Sequence, residues 1–485
     1  MPIAYHLIRA SIASFPADVS HDAVGSQAPR VEEMYAPEAH ATALDPGIPI
    51  VVGSRGAGKS FWSGVLGQDA TRDAAAIAYP RLGLDRVSVA FGYTGFAGAE
   101  AVSPAVLGKT LGGDPSPQEA AAIWWGAILR ACAKHTNSAP LEIREAMRVS
   151  LDPEQREARL DEFDASLAKQ RRTLLVVFDA LDTIATTWPR RRMLTEALLE
   201  VVWSLRAYRN IKSKLFLRPD QIDDDALRFV ELPKLRTGAV RLTWSGADLY
   251  GMFYARLALT ADDEYRRAFD SVLEALHLPA PATQADVLSR RWMLSSDVAS
   301  QVTVMDSLAG PFMADGPYGF KKGKTYSWPL GHLADAFEEV TPRSFLGLMI
   351  AASKYGQPPL DRAISADGIR HGLRAASRTR VDQLHQEFPW IKGVLAPLAG
   401  LLLPQPASEV FKAWKSAKTV ARVREDAALH NYLPPFSGKG SEEDLLSAMK
   451  RIGVMYSRRD ERIDMPDLYR VAANLLKKGG TAPLA

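Results

Sequence analysis

Residues 53–60 constrain the fold of this chain more than any other stretch, because they spell GSRGAGKS and match the pattern G-x-x-x-x-G-K-[ST]. The run before them, IPIVV at 48–52, predicts a short buried strand, and SFWSGVLGQ at 60–68 predicts the start of a helix. A strand, a glycine-rich turn and a helix in direct succession are the context that this pattern requires. We therefore expect an α/β domain organised around this turn.

The chemistry of the turn suits a phosphate group. Glycine lets backbone N–H groups approach an anion closely and tolerates positive φ, and the helix that follows directs its positive end at the same point. In this pattern Lys59 neutralises β/γ-phosphate charge and the Ser60 hydroxyl binds Mg²⁺. A glycine-rich surface turn is the alternative interpretation. The predicted nucleotide contacts in this turn are Gly53, Ser54, Arg55, Gly56, Ala57, Gly58, Lys59, Ser60 and Phe61.

A second acidic motif accompanies the turn. TLLVVFDALD at 173–182 places Asp179 at the end of an apolar run, where a carboxylate can hold the Mg²⁺ shell. We assign Asp179 to the metal together with Ser60, and Asp182 to orienting or deprotonating the attacking water. The alternative for both aspartates is a helix cap. Together the two motifs predict a site for ATP and Mg²⁺.

The fold class follows from apolar runs of strand length separated by longer helical segments. That alternation predicts a P-loop NTPase fold, α/β in class, with a mainly parallel sheet flanked by helices. Helices are predicted to begin at Asp152, with Pro153 in the first turn, and near Pro189. Besides 48–52, the runs are 85–91, 173–179, 213–217 and 239–243.

Two arginines are candidate phosphate contacts. Arg218 follows a predicted strand, and ligands of α/β sheets bind at the carboxyl ends of strands; a surface ion pair with Asp220 is the alternative. Arg343 stands just inside a predicted helix start at Thr341, where a cation is unfavourable unless an anion is near. The run Arg190–Arg192 also places cations at a predicted helix start, which again suggests a nearby anion. A solvated helix face is the alternative.

The order of these patterns predicts four regions. Residues 1–45 lack periodicity and should form an irregular lead-in that packs on the nucleotide domain. Residues 46–245 should form that domain, 246–356 a helical lid, and 357–485 a winged-helix-like α+β module. The module is inferred from a helix, a turn of strand character and a second helix at the end of the chain.

Composition limits the class of protein. Apolar residues make up 47% and charged residues 24%, as in globular proteins, and no uninterrupted apolar stretch is long enough for a membrane span. The single cysteine, Cys132, and the lack of a secretory signal predict a cytoplasmic protein. The net charge is +3, but residues from Thr341 onward hold 22 Lys plus Arg against 14 Asp plus Glu, which points to a polyanion partner.

GSRGAGKS, FDALD, LFLRPD and TPRSFL, in this order, resemble the AAA+/STAND side of the P-loop ATPases, and most closely the bacterial KAP-type ATPases. The resemblance covers about residues 40–355. It implies ATP binding between a sheet domain and a helical lid, with Arg343 at the position of the lid arginine. Ala180 stands where many such ATPases carry a second acid, which implies slow hydrolysis.

Two functions are compatible with this resemblance. In the first, an ATPase acts as a conformational switch or motor in a bacterial multi-protein system, such as anti-phage defence or a mobile element, as a homo-oligomer or with an effector protein. In the second, a DNA loader or remodelling ATPase grips duplex DNA through Arg458, Arg459 and Arg462 and through the helix that carries Arg370, Arg374, Arg378 and Arg380. We find neither a guanine-binding N/T-K-x-D motif nor an LSGGQ-like signature.

Overall fold

The computed structural model describes residues 3–16, 22–98, 101–113, 115–185, 187–222, 227, 229–357, 359–436 and 438–483. The chain divides into two compact units. The first comprises residues 20–243, and the second comprises residues 1–19 together with 244–485. We call them the sheet unit and the helical unit.

The sheet unit is built on five parallel strands in the order β2-β3-β4-β1-β5. In the pairing of β1 with β4, Val52 lies opposite Leu217, and in the pairing of β3 with β4, Phe178 lies opposite Leu215. The strands are β1 (Ile50–Val52), β2 (Val87–Tyr93), β3 (Thr173–Phe178), β4 (Ile211–Leu217) and β5 (Val240–Arg241). All five apolar runs of the sequence therefore form strands, and the predicted parallel sheet flanked by helices is confirmed.

Helices cover this sheet because the central strands are apolar on both faces. The two helix starts expected from prolines are present: Asp152 caps Pro153–Lys169 by accepting from two backbone N–H groups, and Pro189 lies in the first turn of Trp188–Ser204. The helices of the unit are His40–Leu44, Lys59–Gly67, Asp69–Ala78, Pro104–Leu111, Pro117–His135, Ile143–Leu151, Pro153–Lys169, Trp188–Ser204, Pro219–Ile222 and Leu232–Thr237.

The helix Pro117–His135 fills the core beside β2 and β3. Its Trp124 is fully buried, stands edge-on to the rings of Tyr93 and Phe178, and donates its indole N–H to Leu194 O at 2.9 Å. Cys132 on the same helix is buried, and burial raises the pKa of its thiol. The cysteine is therefore a packing residue with an unreactive thiol.

The helical unit contains helices along most of its described length. Of the predicted irregular lead-in, residues 1, 2 and 17–21 lie outside the described residues, and Tyr5–Ser14 is a helix. That part of the prediction is wrong, because this helix is held by tertiary packing on Asp263–Ala275 and Pro342–Ser353. The remaining helices are Gly246–Ala258, Gln284–Leu288, Val298–Ala309, Ser327–Leu333, Ala366–Glu387, Ile391–Leu395, Ala407–Ser416, Thr419–His430, Glu442–Arg451 and Asp467–Arg470.

The end of the helical unit carries four short strands, β6 (Leu402–Leu403), β7 (Tyr456–Ser457), β8 (Ile463–Asp464) and β9 (Leu476–Lys477). Strands β7 and β8 form an antiparallel hairpin, and Gln405 bridges to Ile463. The predicted final helix is shorter than expected: after Arg470 the chain turns, Asn474 adopts φ 57°, and β9 pairs with β6. A left-handed residue interrupts helix geometry, which explains the difference.

None of the helices in the described part of the chain is both long and apolar enough to cross a bilayer.

Candidate functional site

The glycine-rich turn connects β1 to the helix Lys59–Gly67, and its glycines are needed for two different reasons. Gly56 and Gly58 have φ of 84° and 105°, a region that side chains disfavour. Gly53 is tightly packed: a Cβ there would lie 3.3 Å from Cβ of both Ala57 and Leu242, closer than side chains usually pack. The conformation therefore depends on glycine at 53 and 58, which the sequence pattern specifies, and also at 56, which it does not.

Lys59 is the first residue of the helix, and its ammonium folds back over the turn. Its Nζ donates to Gly53 O at 2.8 Å and to Ser54 O at 3.1 Å. The ammonium is therefore held within the loop, where the helix dipole also attracts negative charge. A phosphate oxygen bound there would compete with these two carbonyls for the same N–H groups.

Asp179 follows β3 and comes next to the turn. Its carboxylate lies close to the Ser60 hydroxyl and is only 2% exposed. Burial raises the pKa of Asp179, while the Ser60 hydroxyl, the Ala180 backbone N–H and the charge of Lys59 act in the opposite direction. Strand order explains the meeting: β4 alone separates β1 from β3, so their carboxyl ends lie at the same edge.

A strand that leads into a glycine loop and a helix, within a parallel sheet whose neighbouring strand end supplies a carboxylate, constitutes the P-loop NTPase fold.

Ser60 and Asp179 are a donor set that suits Mg²⁺. A hydroxyl and a carboxylate are hard oxygen ligands, and Mg²⁺ in nucleotide sites takes few protein ligands and completes its octahedron with phosphate and water. The Ser60 hydroxyl acts on the pKa of Asp179, so the two side chains lie close together. Within the described residues, no three His, Cys, Asp or Glu side chains gather as a metal cage.

Arg218 comes to the same edge of the sheet and is tied into an ion-pair cluster. Its guanidinium makes a two-pronged contact with Asp220, with both N–O distances 3.1 Å, and its Nη1 lies 3.4 Å from Asp182 Oδ2. The ion pair with Asp220 that we considered from the sequence is therefore present, but Arg218 is only 7% exposed. Asp182, the candidate for orienting water, reaches this cluster with its side chain 39% exposed.

A strained residue lies between the two aspartates. Ala180 has φ 55° and ψ 36°, the left-handed conformation that a residue with a Cβ seldom adopts. The turn allows Asp179 to point at the glycine loop and Asp182 to reach Arg218. Strain of this kind persists only where surrounding structure enforces it, and it concentrates at functional sites.

The arginines at the start of Trp188–Ser204 do not form an open cationic cluster. Arg190 donates to the carbonyls of Gly112 and Gly113, and Arg191 donates twice to Ala185 O, at 3.3 and 3.0 Å. Burial, and then the charge of Arg218, lowers the pKa of Arg191. Arg191 is therefore a second cation near the Arg218 cluster. The sequence alone did not distinguish it from Arg190 and Arg192.

Two other predicted residues belong to the helical unit. Arg343 lies on Pro342–Ser353, and the expected cap is present, because Thr341 Oγ1 accepts from Ser344 N at 3.3 Å. Arg380, which we expected to contact DNA phosphates, is buried beside Tyr469, with Nε 3.4 Å from the phenol oxygen. That expectation is wrong, because the i+4 spacing of the other arginines ends at Arg378 and Arg380 lies on the packed face.

Sequence reasoning missed a buried histidine behind the P-loop helix. Trp62 donates its indole N–H to His40 Nδ1 at 3.0 Å, so the other ring nitrogen, Nε2, carries the proton that His40 donates to Thr243 O at 2.9 Å. The pair links Lys59–Gly67 to the end of β5. A lone histidine among apolar residues gave no signal for this role.

No family model matches the chain, and no curated protein does. The solved structures that it matches include two that align along most of its length. The ORC2 protein of Aeropyrum pernix, solved as ADPNP–ADP complexes, aligns at 13% identity over 91% of this chain and 94% of its own, with a TM-score of 0.39. Cdc6p of Pyrobaculum aerophilum aligns at 10% identity over 95% of this chain and 94% of its own, with a TM-score of 0.29.

Proposed function

We propose that this chain binds ATP with Mg²⁺ in the P-loop of the sheet unit and hydrolyses it slowly, as an ATPase related to the AAA+ group. The observation that carries the proposal is the buried carboxylate of Asp179, close to the Ser60 hydroxyl and within the field of the Lys59 ammonium. A buried carboxylate against a hydroxyl and a lysine has little value as packing. This arrangement suits a site where a bound metal ion and phosphate groups balance the charges of the carboxylate and the lysine.

Each group of the site has a distinct task in this proposal. The backbone N–H groups of 54–58 and the helix start hold the phosphates, Lys59 neutralises their charge, and Phe61 lies in the first turn beside the nucleotide. Ser60 and Asp179 would hold Mg²⁺, which supplies charge stabilisation to the transferred phosphoryl group. Asp182 would orient water, and Arg218 would turn from its carboxylates toward the γ-phosphate.

Slow turnover follows from the Arg218 cluster and from Ala180. Asp182 shares its carboxylate with Arg218, so hydrolysis requires that this contact loosen. Ala180 offers no second acid next to Asp179. Arg343 of the helical unit is the proposed lid arginine, and a second copy or an effector protein is the proposed reader of the nucleotide state.

The test compares wild-type protein with Lys59→Ala in thermal unfolding with and without Mg²⁺–ATP. A ligand at about 100 times its Kd stabilises the state that binds it by about 2.7 kcal/mol. Wild type should show an upward shift of Tm and slow release of phosphate, and Lys59→Ala should show neither. Equal shifts, or equal hydrolysis, in the two proteins would place the nucleotide elsewhere.

Duplex DNA is the second candidate ligand, because of the hairpin β7–β8. Its turn carries three arginines within five residues, and Arg459 is exposed with no partner among the described residues. Arg458 lies 3.7 Å from the buried Asp464, and Arg462 is paired with Asp460. In this second proposal the helix Glu442–Arg451 and the hairpin act as a winged-helix-like module. Arg459 is the arginine of the hairpin that is most accessible to a DNA phosphate.

A further inference from the structure

One surface loop of the helical unit combines exposed aromatic rings with lysines. Residues 311–325, PFMADGPYGFKKGKT, connect Val298–Ala309 to Ser327–Leu333. At its tip the side chains of Tyr318 and Phe320 are 69% and 57% exposed, and Lys321, Lys322 and Lys324 are exposed as well. We call residues 311–325 the aromatic loop.

The aromatic loop has a defined backbone. Phe312 and Lys324 form an antiparallel bridge, Met313 N donates to Gly323 O at 2.9 Å, and Thr325 N donates to Pro311 O at 3.2 Å. At the tip Gly319 leaves no room for a side chain, since a Cβ there would meet Ala314 O at 2.2 Å. The two rings are thus presented on a fixed turn, and their ordering cost is met by the fold before any ligand arrives.

The lysines are arranged around the rings. Lys321 Nζ lies 4.9 Å from the centroid of the Tyr318 ring and 6.0 Å from that of Phe320. Asp306 attracts Lys324, and Asp315 is paired with Arg362 at 3.1 Å. The negative charge of these two carboxylates is therefore partly balanced by neighbouring cations. Exposed rings with adjacent cations fit a ligand that carries both flat π faces and negative charge.

A row of arginines extends from the base of the aromatic loop. Arg370 donates to Met313 O and to Asp367, Arg374 donates to Ala482 O at 3.2 Å, and Arg378 is exposed one turn further along Ala366–Glu387. At 1.5 Å per residue the row from Arg370 to Arg378 spans about 12 Å. The cations of this helix therefore follow a line that begins at the base of the aromatic loop.

We propose that the aromatic loop and this arginine row bind single-stranded nucleic acid, with Tyr318 and Phe320 stacking on unpaired bases and the lysines and arginines contacting phosphates. A line of cations matches a polynucleotide backbone, and stacking needs bases freed from a duplex. An acidic membrane is the less suitable ligand, because stable insertion needs a broad apolar face and the tip offers only the two rings and Pro317. The proposal is independent of the ATPase, since it uses none of the P-loop residues.

The experiment measures binding of the full chain to a fluorescent oligothymidylate of about 20 nucleotides by anisotropy, without nucleotide present. Tyr318→Ala with Phe320→Ala should weaken binding roughly tenfold or more, while Tyr318→Phe should bind as wild type does. Lys321→Gln with Lys322→Gln should reduce the slope of log affinity against log salt by about 1.4.

Matched controls come from exposed residues of the same unit. Leu429→Ala removes a side chain that is 76% exposed, and Lys412→Gln with Lys415→Gln removes two exposed cations from Ala407–Ser416. Neither should change the affinity for the oligomer. If Tyr318→Ala with Phe320→Ala bound the oligomer as wild type does, the proposal would be overturned. A loss of binding confined to vesicles that contain phosphatidylserine would overturn it as well.

Discussion

At the residue scale, Asp179 is costly to the folded protein. Its carboxyl is buried, and burial raises its pKa. The folded state therefore resists ionisation of this group more than the unfolded state does. Above the raised pKa the ionised group reduces the free energy of unfolding by the full amount; as the pH falls from the raised pKa to the ordinary pKa of an aspartate, this penalty disappears.

We therefore expect Asp179→Asn to stabilise the protein in the absence of nucleotide at pH 7, by on the order of 1 kcal/mol. The same change should remove the additional Tm shift that Mg²⁺ gives to ATP, because it replaces a carboxylate ligand by an amide. Thermal unfolding with ATP plus EDTA and with ATP plus Mg²⁺ separates the two effects.

The control for this prediction is Asp73→Asn, an exposed aspartate on Asp69–Ala78. It should leave Tm and the Mg²⁺ effect unchanged. A destabilised Asp179→Asn protein that kept the full Mg²⁺ effect would show that Asp179 is a structural residue.

At the element scale, one lysine fastens the entry to β1 onto the sheet. Lys214, on β4, is fully buried and donates to Ala43 O at 2.7 Å, Asp45 O at 3.0 Å and Ile48 O at 2.7 Å. These carbonyls belong to the end of His40–Leu44 and the connection that leads to β1. Burial lowers the pKa of Lys214 to about 7, while the charge of Asp45 acts to raise it.

This buried lysine predicts a pH dependence of stability. The unfolded chain keeps its lysine protonated up to about pH 10.4, so between pH 7 and that value the unfolded state binds more protons. The free energy of unfolding should then rise with pH, with a contribution from Lys214 of at most about 1.4 kcal/mol per pH unit. Urea unfolding at several pH values across this range measures it.

Lys214→Met removes the titrating group and should flatten this part of the profile. Lys212→Met changes a half-buried lysine on the same strand, which donates to Tyr208 O at 2.9 Å, and tests whether the effect belongs to Lys214 alone. Parallel profiles for wild type and Lys214→Met would contradict the assignment.

At the scale of the whole molecule, charge is unevenly distributed along the chain. Residues from Thr341 onward carry 22 Lys plus Arg against 14 Asp plus Glu, while the chain as a whole has a net charge of only +3. The structure shows that part of this positive charge is already used, since Arg380 and Arg470 are buried and Arg462 is bonded to Asp460 at 2.9 and 2.6 Å.

If the C-terminal region binds duplex DNA, its arginines should differ in effect. Arg459→Gln should lower the salt slope for a duplex by about 0.9, the value for one lost phosphate contact. Arg462→Gln should have a smaller effect, because Asp460 already neutralises it. Equal losses from the two variants, measured by anisotropy over a salt series, would argue against a hairpin contact.

Local pattern determined much of this molecule. The five strands, the helix starts at Asp152 and Pro189, and the glycine turn before Lys59 all follow from short-range rules: apolar periodicity, caps, and the positive φ that glycine permits. The approach of Asp179 to the glycine turn could also be predicted, because the carboxyl ends of parallel strands meet at one edge of the sheet.

Only the tertiary structure determined which charged side chains are paired or buried. No sequence spacing shows that Arg218 is held by Asp182, that Lys214 is bonded to three carbonyls, or that Arg380 is buried while Arg378 is exposed. The physical reason is that a side chain's partners come from strands and helices distant in sequence, and the free energy of a charge depends on those partners and on the water that they exclude.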